Sequence, residues 1–299
     1  MKKSQFERID KFITPYRISS GKSFRLKDID PGDTAHLKSE DKAEAKQMLA
    51  SGVEWLAEQQ DMLYAQDHWA VLLVFQAMDA AGKDGTIKHV TSGINPQGCT
   101  VTSFKQPSAE ELDHDYLWRY MRNVPARGQI GIFNRSYYEE VLVVKVHQEL
   151  LARQKLPRSL VTRKIWDQRY KDIRNYESYL VRNGVLVLKF FLHVSAAEQK
   201  RRFMERLDKP AKNWKFSPSD VAERQHWSAY QDAYEEAIRR TASKEAPWYV
   251  VPADNKWFTR LLVAAAVVDA MARLKLHYPV VSPAIHKELA AARKQLEAE

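Results

Sequence analysis

Five short apolar runs, residues 71–75, 99–104, 129–133, 185–194 and 248–251, are spaced along the chain. Each has the length and bounding turn residues of a strand. Between them the period lengthens to that of a helix. Residues 35–66 repeat Met48, Leu56, Met62 and Leu63 on one face, residues 159–181 carry Ile165, Ile173 and Leu180, and residues 256–275 form a last helix. The boundaries carry their own signals. A helix opening at Lys83 should stop near Gly93, before the turn Asn95-Pro96-Gln97-Gly98. Ser108 with Glu111 reads as a capping box opening a helix that continues to about Arg122, and Ser136 with Glu139 reads as a second box directly after the third strand. A basic helix over 195–207 should break between Pro210 and Pro218. Strand and helix thus alternate five times, which predicts one α/β domain over 1–299 with a parallel sheet covered on both faces. Residues 1–34 lack clear periodicity and are expected to form an extended surface arm. Residues 282–299 form a charged, alanine-rich tail with helical potential.

Composition narrows the partners. The 299 residues are 44% hydrophobic, enough for a substantial core. With 47 Lys and Arg against 38 Asp and Glu, the net charge of +9 points to a polyanion: nucleic acid, an anionic membrane or a phosphate-rich substrate. The single cysteine, Cys99, excludes an intrachain disulfide and suits a reducing compartment and a buried apolar role. No apolar segment follows the charged N-terminus, and residues 261–274 are interrupted by Asp269 and Arg273, so a soluble cytoplasmic protein with no membrane span is expected.

Candidate chemistry gathers at LLVFQAMDAAGKDGT, where an apolar strand ends in a loop of small residues that carries Lys83 into a helix. Such a loop lets backbone amides turn onto an anion at the positive end of a helix. The strict pattern G-x-x-x-x-G-K-[ST] is not met, because Ala77 and Asp84 stand at its first and last positions, but strand, loop and helix follow in the required order. Ligands of open α/β sheets sit beyond the carboxyl ends of the strands, which brings Asp79, Lys105 and Asn134-Arg135 to the same place. Asp79 there serves either a metal, hydroxyl or cation, or an Asx-turn. Arg135 is placed to fork onto phosphate oxygens. Glu139 has its capping box, and Glu140 reads either as a base or as a solvent-facing carboxylate. The segment EQKRRFMERLDKPAKNWKF sets Arg202 and Arg206 on one helical face, followed by Lys212 and Lys215. It reads as a solvated or nucleic-acid-binding face, or as a lid over a phosphate chain, the reading favoured beside a phosphate loop. No metal-ligand cluster or nucleophile elbow appears, and the tryptophans, Trp214 among them, read as core or lid packing.

With these residues in view, the chain resembles the polyphosphate kinase 2 family, P-loop kinases related to the thymidylate kinases. FQAMDAAGKDGTIK is similar to the family's Walker A motif, FNRSYYEEV to its Walker B region, RLDKPAKNWKFSPSD to its lid and APWYVVPADNKWF to its last strand and following helix. Together with SFKQPSAEELDHDYLWR these cover roughly residues 25–280 in order.

The resemblance implies a three-layer α/β/α P-loop kinase fold with a five-stranded, mostly parallel sheet and a helical lid over 195–226. It implies reversible transfer of the terminal phosphate of inorganic polyphosphate to ADP and AMP, forming ATP and ADP, with Mg2+ or Mn2+. Ala80, Ala81, Gly82, Lys83, Asp84, Gly85 and Thr86 would hold the transferring phosphate. Asp79, Lys105, Asn134, Arg135 and Glu139 would meet the nucleotide, with Asp79 also beside the metal. Arg202, Arg206, Lys212 and Lys215 would follow the polyphosphate. The uncharged Asn134, where many members carry an acid, is similar to class III members, which accept both AMP and ADP. Guanine nucleotides as acceptors and a homo-oligomer, tetramer or dimer, are also implied, without nucleic-acid partners. The rival readings are an ATP-dependent nucleoside monophosphate kinase and a basic nucleic-acid-binding module.

Overall fold

In the computed structural model, which describes residues 3–299, six strands form one sheet: β1 (Arg17–Ile18), β2 (Ala70–Ala77), β3 (Cys99–Ser103), β4 (Ile130–Asn134), β5 (Val185–His193) and β6 (Trp248–Pro252). Their order is β1-β6-β5-β2-β4-β3, with every pairing parallel except β1 on β6. All five expected strands are present, so the sheet differs from expectation by one added edge strand. β2 and β5 lie at its centre, buried along almost their whole length, which is why they read as apolar runs without alternation.

Helices cover both faces. Lys42–Gln66, Lys83–Val90 and Lys256–Ala272 pack on one side, and Ile165–Arg182 and Trp227–Thr241 on the other. The main cluster of buried apolar residues runs from Ile13 to Leu276 through both layers, and a small second one gathers Val144, Leu151 and Ile165. Among the described residues, no helix is long and apolar enough to cross a membrane.

Of the extended arm expected over 1–34, residues 1 and 2 lie outside the described residues, Lys3–Ile13 form a helix instead, and a 3-10 turn, Thr14–Tyr16, leads into β1, beyond which the segment is irregular apart from the 3-10 turn Leu26–Asp28. Phe6, Ile9, Phe12, Ile13 and Tyr16 fall at helical spacing and bury against Trp55 and Phe258, with ring centroids 5.6 to 5.9 Å apart. Arg17 then ties this segment to Asp10 at 3.0 Å and Asp269 at 3.6 Å.

Three helix boundaries also move. The helix expected from residue 35 starts at Lys42, because Ala35 and His36 adopt positive φ in a loop held by Asp33 and Thr34. The Ser108–Glu111 capping box forms, but its helix ends at Asp113. His114 is extended, and Asp115 accepts from the Leu117 amide before a short helix, Trp118–Met121, begins. The helix expected from residue 159 starts at Ile165, behind two 3-10 turns over 148–160. The basic helix runs Ala196–Asp208 from a Ser195 cap, and two short helices, Pro210–Asn213 and Pro218–Glu223, complete the segment. The tail helix Pro283–Leu296 has no buried residue.

Candidate active site

At the carboxyl edge of the sheet, β2 delivers the loop 78–82 into the Lys83–Val90 helix. Gly82 sits at φ +104°, a conformation that a side chain would strain. The first intrahelical bond runs from the Thr86 amide to the Gly82 carbonyl at 3.0 Å, which leaves the amides of Lys83, Asp84 and Gly85 for a ligand. Lys83 Nζ donates to the Ala77 carbonyl at 3.0 Å, so its ammonium is drawn back along the loop. Burial, helped by Arg135, holds its pKa below the ordinary value against the pull of Asp79, Glu139 and Asp84.

The strand ends bring the other groups into place. Arg135, at φ +65°, donates its own amide to the Phe75 carbonyl, and its guanidinium stands 3.4 Å from Asp79. Burial would lower its pKa, but Glu139 and Asp79 outweigh this and raise it. Asn134 Nδ2 donates to Asp84 Oδ1 at 2.8 Å and reaches Ser103 Oγ at 3.4 Å, linking β4, β3 and the phosphate loop.

A cavity of ≈510 Å3 collects these groups: it is lined by all of residues 79–86, by Ser103, Phe104 and Lys105 at the end of β3, by Asn134 and Arg135, by Arg202, Glu205, Arg206, Lys212 and Lys215, and by Lys256, Thr259 and Arg260. Nine Lys and Arg side chains therefore face three carboxylates, a balance suited to a polyanion.

Several residues play parts other than those expected. Arg202 is 4% exposed, and its donors are already used. Nη1 donates to the Ala80 and Ala81 carbonyls at 2.9 and 2.7 Å, Nη2 to the Ala253 and Asp254 carbonyls, and Nε to Glu198. It braces the back of the loop rather than following a chain of phosphates. Gln199 adds a second tie, donating to the Asp79 carbonyl at 2.9 Å. Arg206 lines the cavity while holding the Lys215 carbonyl and Asp220. Lys212 pairs with Glu205 at 2.6 Å. Trp214, expected to pack, is 78% exposed beside Lys215.

The second capping box does not form. Ser136 Oγ accepts from the Tyr138 amide and donates to Gln76, and Glu139 accepts from Gln76 Nε2 at 2.7 Å, so a 3-10 turn, Tyr137–Val141, replaces the expected helix. Glu139 faces Arg135 electrostatically but does not line the cavity. Glu140, one reading of which put it in solvent, is 4% exposed and paired with Arg169 at 3.0 Å, and burial raises its pKa. Cys99 is half-buried, and burial pushes its thiol up to about 11. Lys256, Thr259 and Arg260 went unrecognised. The strand-end rule applied to β6, as to the other strands, would have pointed to Lys256.

A strand, small-residue loop, lysine and helix at the centre of a parallel sheet, under a basic segment, define a P-loop phosphotransferase. Residues 38–278 match the family described as Polyphosphate kinase 2. The chain belongs to the polyphosphate kinase 2 family. It is 53% identical over 258 residues to the ADP-polyphosphate phosphotransferase of Rhodopseudomonas palustris, covering 86% of this chain and 89% of that protein. To the AMP/ADP-polyphosphate phosphotransferase of Meiothermus ruber it is 44% identical over 272 residues, covering 91% and 97%. The crystal structure of polyphosphate kinase 2 from Arthrobacter aurescens superposes with a TM-score of 0.83 at 38% identity, covering 92% of this chain and 95% of that one.

Proposed function

We propose that the protein moves the terminal phosphate of inorganic polyphosphate onto ADP, forming ATP, and onto AMP, forming ADP, and that it also runs in reverse. The observation that carries this reading is the cavity in which nine cations and the phosphate loop face three carboxylates. The relatives from Rhodopseudomonas palustris and Meiothermus ruber, named for ADP and for AMP/ADP, support both acceptors.

In the forward direction an oxygen of the acceptor's terminal phosphate attacks the terminal phosphorus of the chain. The bond to the neighbouring bridging oxygen breaks, and the chain leaves one phosphate shorter. The acceptor phosphate is already an oxyanion at neutral pH, so no general base is required and the uncharged Asn134 is compatible with the step. The amides of residues 83–85 and the Lys83 ammonium stabilise charge on the transferring group. Arg135 clamps its oxygens from the β4 side, and Lys105 meets the nucleotide beyond it. Arg206, Lys212 and Lys215 close over the donor. Arg202 acts through the loop, turning the Ala80 and Ala81 carbonyls away from the phosphate.

The residues present fit a divalent cation. The Asp79 side chain is 37% exposed, and its one close charged partner among the described residues is Arg135 at 3.4 Å. No group of three metal-ligating side chains gathers among the described residues, so Mg2+ or Mn2+ held by Asp79 would take its remaining oxygens from phosphates and water. When bound, it neutralises phosphate charge.

The test is product formation from AMP, ADP, GMP and GDP, each with polyphosphate and Mg2+. ATP from ADP, and ADP followed by ATP from AMP, are expected. No product with polyphosphate, alongside transfer from ATP to a nucleoside monophosphate, would overturn the proposal in favour of an ATP-dependent kinase.

A further inference from the structure

Charge is not evenly spread around the phosphate loop. Asp79, Asp84, Asn134 and Arg135 lie on the β4 side of β2, so the cavity's two loop carboxylates belong to the acceptor half. On the other side, β6 leads into the Lys256–Ala272 helix, whose first turns present Lys256, Thr259 and Arg260. Of the lid cations that share this half, Lys212 is partly neutralised by Glu205 and Arg206 by Asp220, while Lys215 stands over the Trp214 ring at 4.9 Å.

Lys256 and Arg260 differ from these. Among the described residues neither side chain makes an ion pair or a hydrogen bond, and Arg260 Nε is buried without a partner. Arg260 Nη2 lies 3.8 Å from the point where a Cβ on Gly85 would sit, so its guanidinium borders the amide end of the phosphate-loop helix. The Lys256 ammonium is held below its ordinary value by burial first, and then by Arg202, Lys212 and Arg201, against the opposing pull of Glu205. Two unpaired cations set among other cations are unfavourable until an anion arrives.

On the phosphoryl-transfer reading given above, we propose that Lys256 and Arg260 form a second donor site, which holds phosphates of the polyphosphate chain distal to the one transferred. The chain then runs from the loop across the end of β6, with the lid above it and the last helix below. The acceptor stays on the β4 side, beside Asn134, Arg135 and Lys105. A donor that ends near the loop gains little from the two residues, whereas a long chain spans them. They therefore act on chain-length preference.

The experiment compares tripolyphosphate with long-chain polyphosphate as donors to ADP, in the full-length protein and its Lys256→Ala/Arg260→Ala variant, with unfolding midpoints measured alongside. The expected result is a KM for the long chain that rises about tenfold, as for the loss of charge-assisted contacts, with a clearly smaller rise for tripolyphosphate and a flatter salt dependence for the long chain. Equal rises for both donors, or no rise, overturn the second site. Should the double variant fold poorly, Lys256→Glu alone, at the first residue of its helix where a carboxylate suits the helix end, carries the same comparison and must raise the long-chain KM selectively. Absence of transfer from either donor by the unaltered protein would instead overturn the underlying reading.

Discussion

Lys83 and Asn134 illustrate how much depends on single side chains here. Lys83 makes one hydrogen bond, to the Ala77 carbonyl, and lies at the start of its helix, so little of the fold rests on its charge. Lys83→Ala is therefore expected to lower kcat on the order of 10²-fold, as for other losses of a transition-state donor, while the thermal midpoint stays close to that of the parent. An unchanged kcat would remove Lys83 from the chemistry. Asn134→Asp would place a second carboxylate against Asp84, where an amide now donates at 2.8 Å. A larger loss of activity with AMP than with ADP is expected, because AMP brings its phosphate closer to the nucleotide's own anchor. Equal losses measured in parallel assays would separate Asn134 from acceptor choice. The placement of both at the cavity was legible in sequence, Lys83 from the loop that opens its helix and Asn134 from the end of β4. The part played by Arg202 was not. Its i,i+4 spacing with Arg206 placed both on one helical face, but spacing does not reveal that one guanidinium meets four backbone carbonyls while the other faces the cavity.

At the scale of elements, two connections set the geometry of the site. Arg202 and Gln199 bolt the root of the lid helix to the phosphate loop, and Arg224 donates to Gln199 Oε1 at 2.5 Å from the lid's far end. Lysine cannot reproduce the fork. Arg202→Lys should destabilise the fold by about 2 kcal/mol, from lost charged hydrogen bonds and unsatisfied carbonyls, and lower kcat together with stability. Urea unfolding and steady-state assays check the pair of effects, and loss of neither would mean the brace is dispensable. Behind the Tyr137–Val141 turn, Lys189 and Glu177 form a buried pair at 2.6 Å, and the Tyr137 and Tyr138 hydroxyls donate to Glu177 at 3.0 and 2.8 Å. Lys189→Met alone should cost about 3–5 kcal/mol by leaving Glu177 buried and unpaired, while Lys189→Met with Glu177→Leu should cost less. If the double variant unfolds more easily than the single one in denaturant, that account is wrong. These tyrosines also explain the missing second capping box. Sequence showed a serine and a glutamate at the right spacing, but not the buried charge that draws the turn inward or the Gln76 amide that engages Glu139.

For the whole molecule, sheet order organises the chemistry. β2 carries the small-residue loop with Asp79 and Lys83 at the centre, β4 and β3 bring Asn134, Arg135 and Lys105 to one side, and β5 and β6 lead into the lid and the last helix on the other. The five core strands and the phosphate loop were legible because central parallel strands are continuously apolar and loops between elements carry Gly, Ala and polar residues. The N-terminal helix was not, since its face of Phe6, Ile9, Phe12 and Ile13 is interleaved with Arg8, Asp10 and Lys11 and packs against residues far away in the chain, among them Trp55 and Phe258. Acceptor on one side and donor chain on the other make one central claim, that this cavity takes its phosphate from polyphosphate. Mixing the purified protein with ADP, polyphosphate and Mg2+ and following ATP tests it most directly. The account predicts ATP that accumulates as the chain shortens and that is lost in Lys83→Ala. No ATP from polyphosphate, under conditions where ATP phosphorylates AMP, would contradict it.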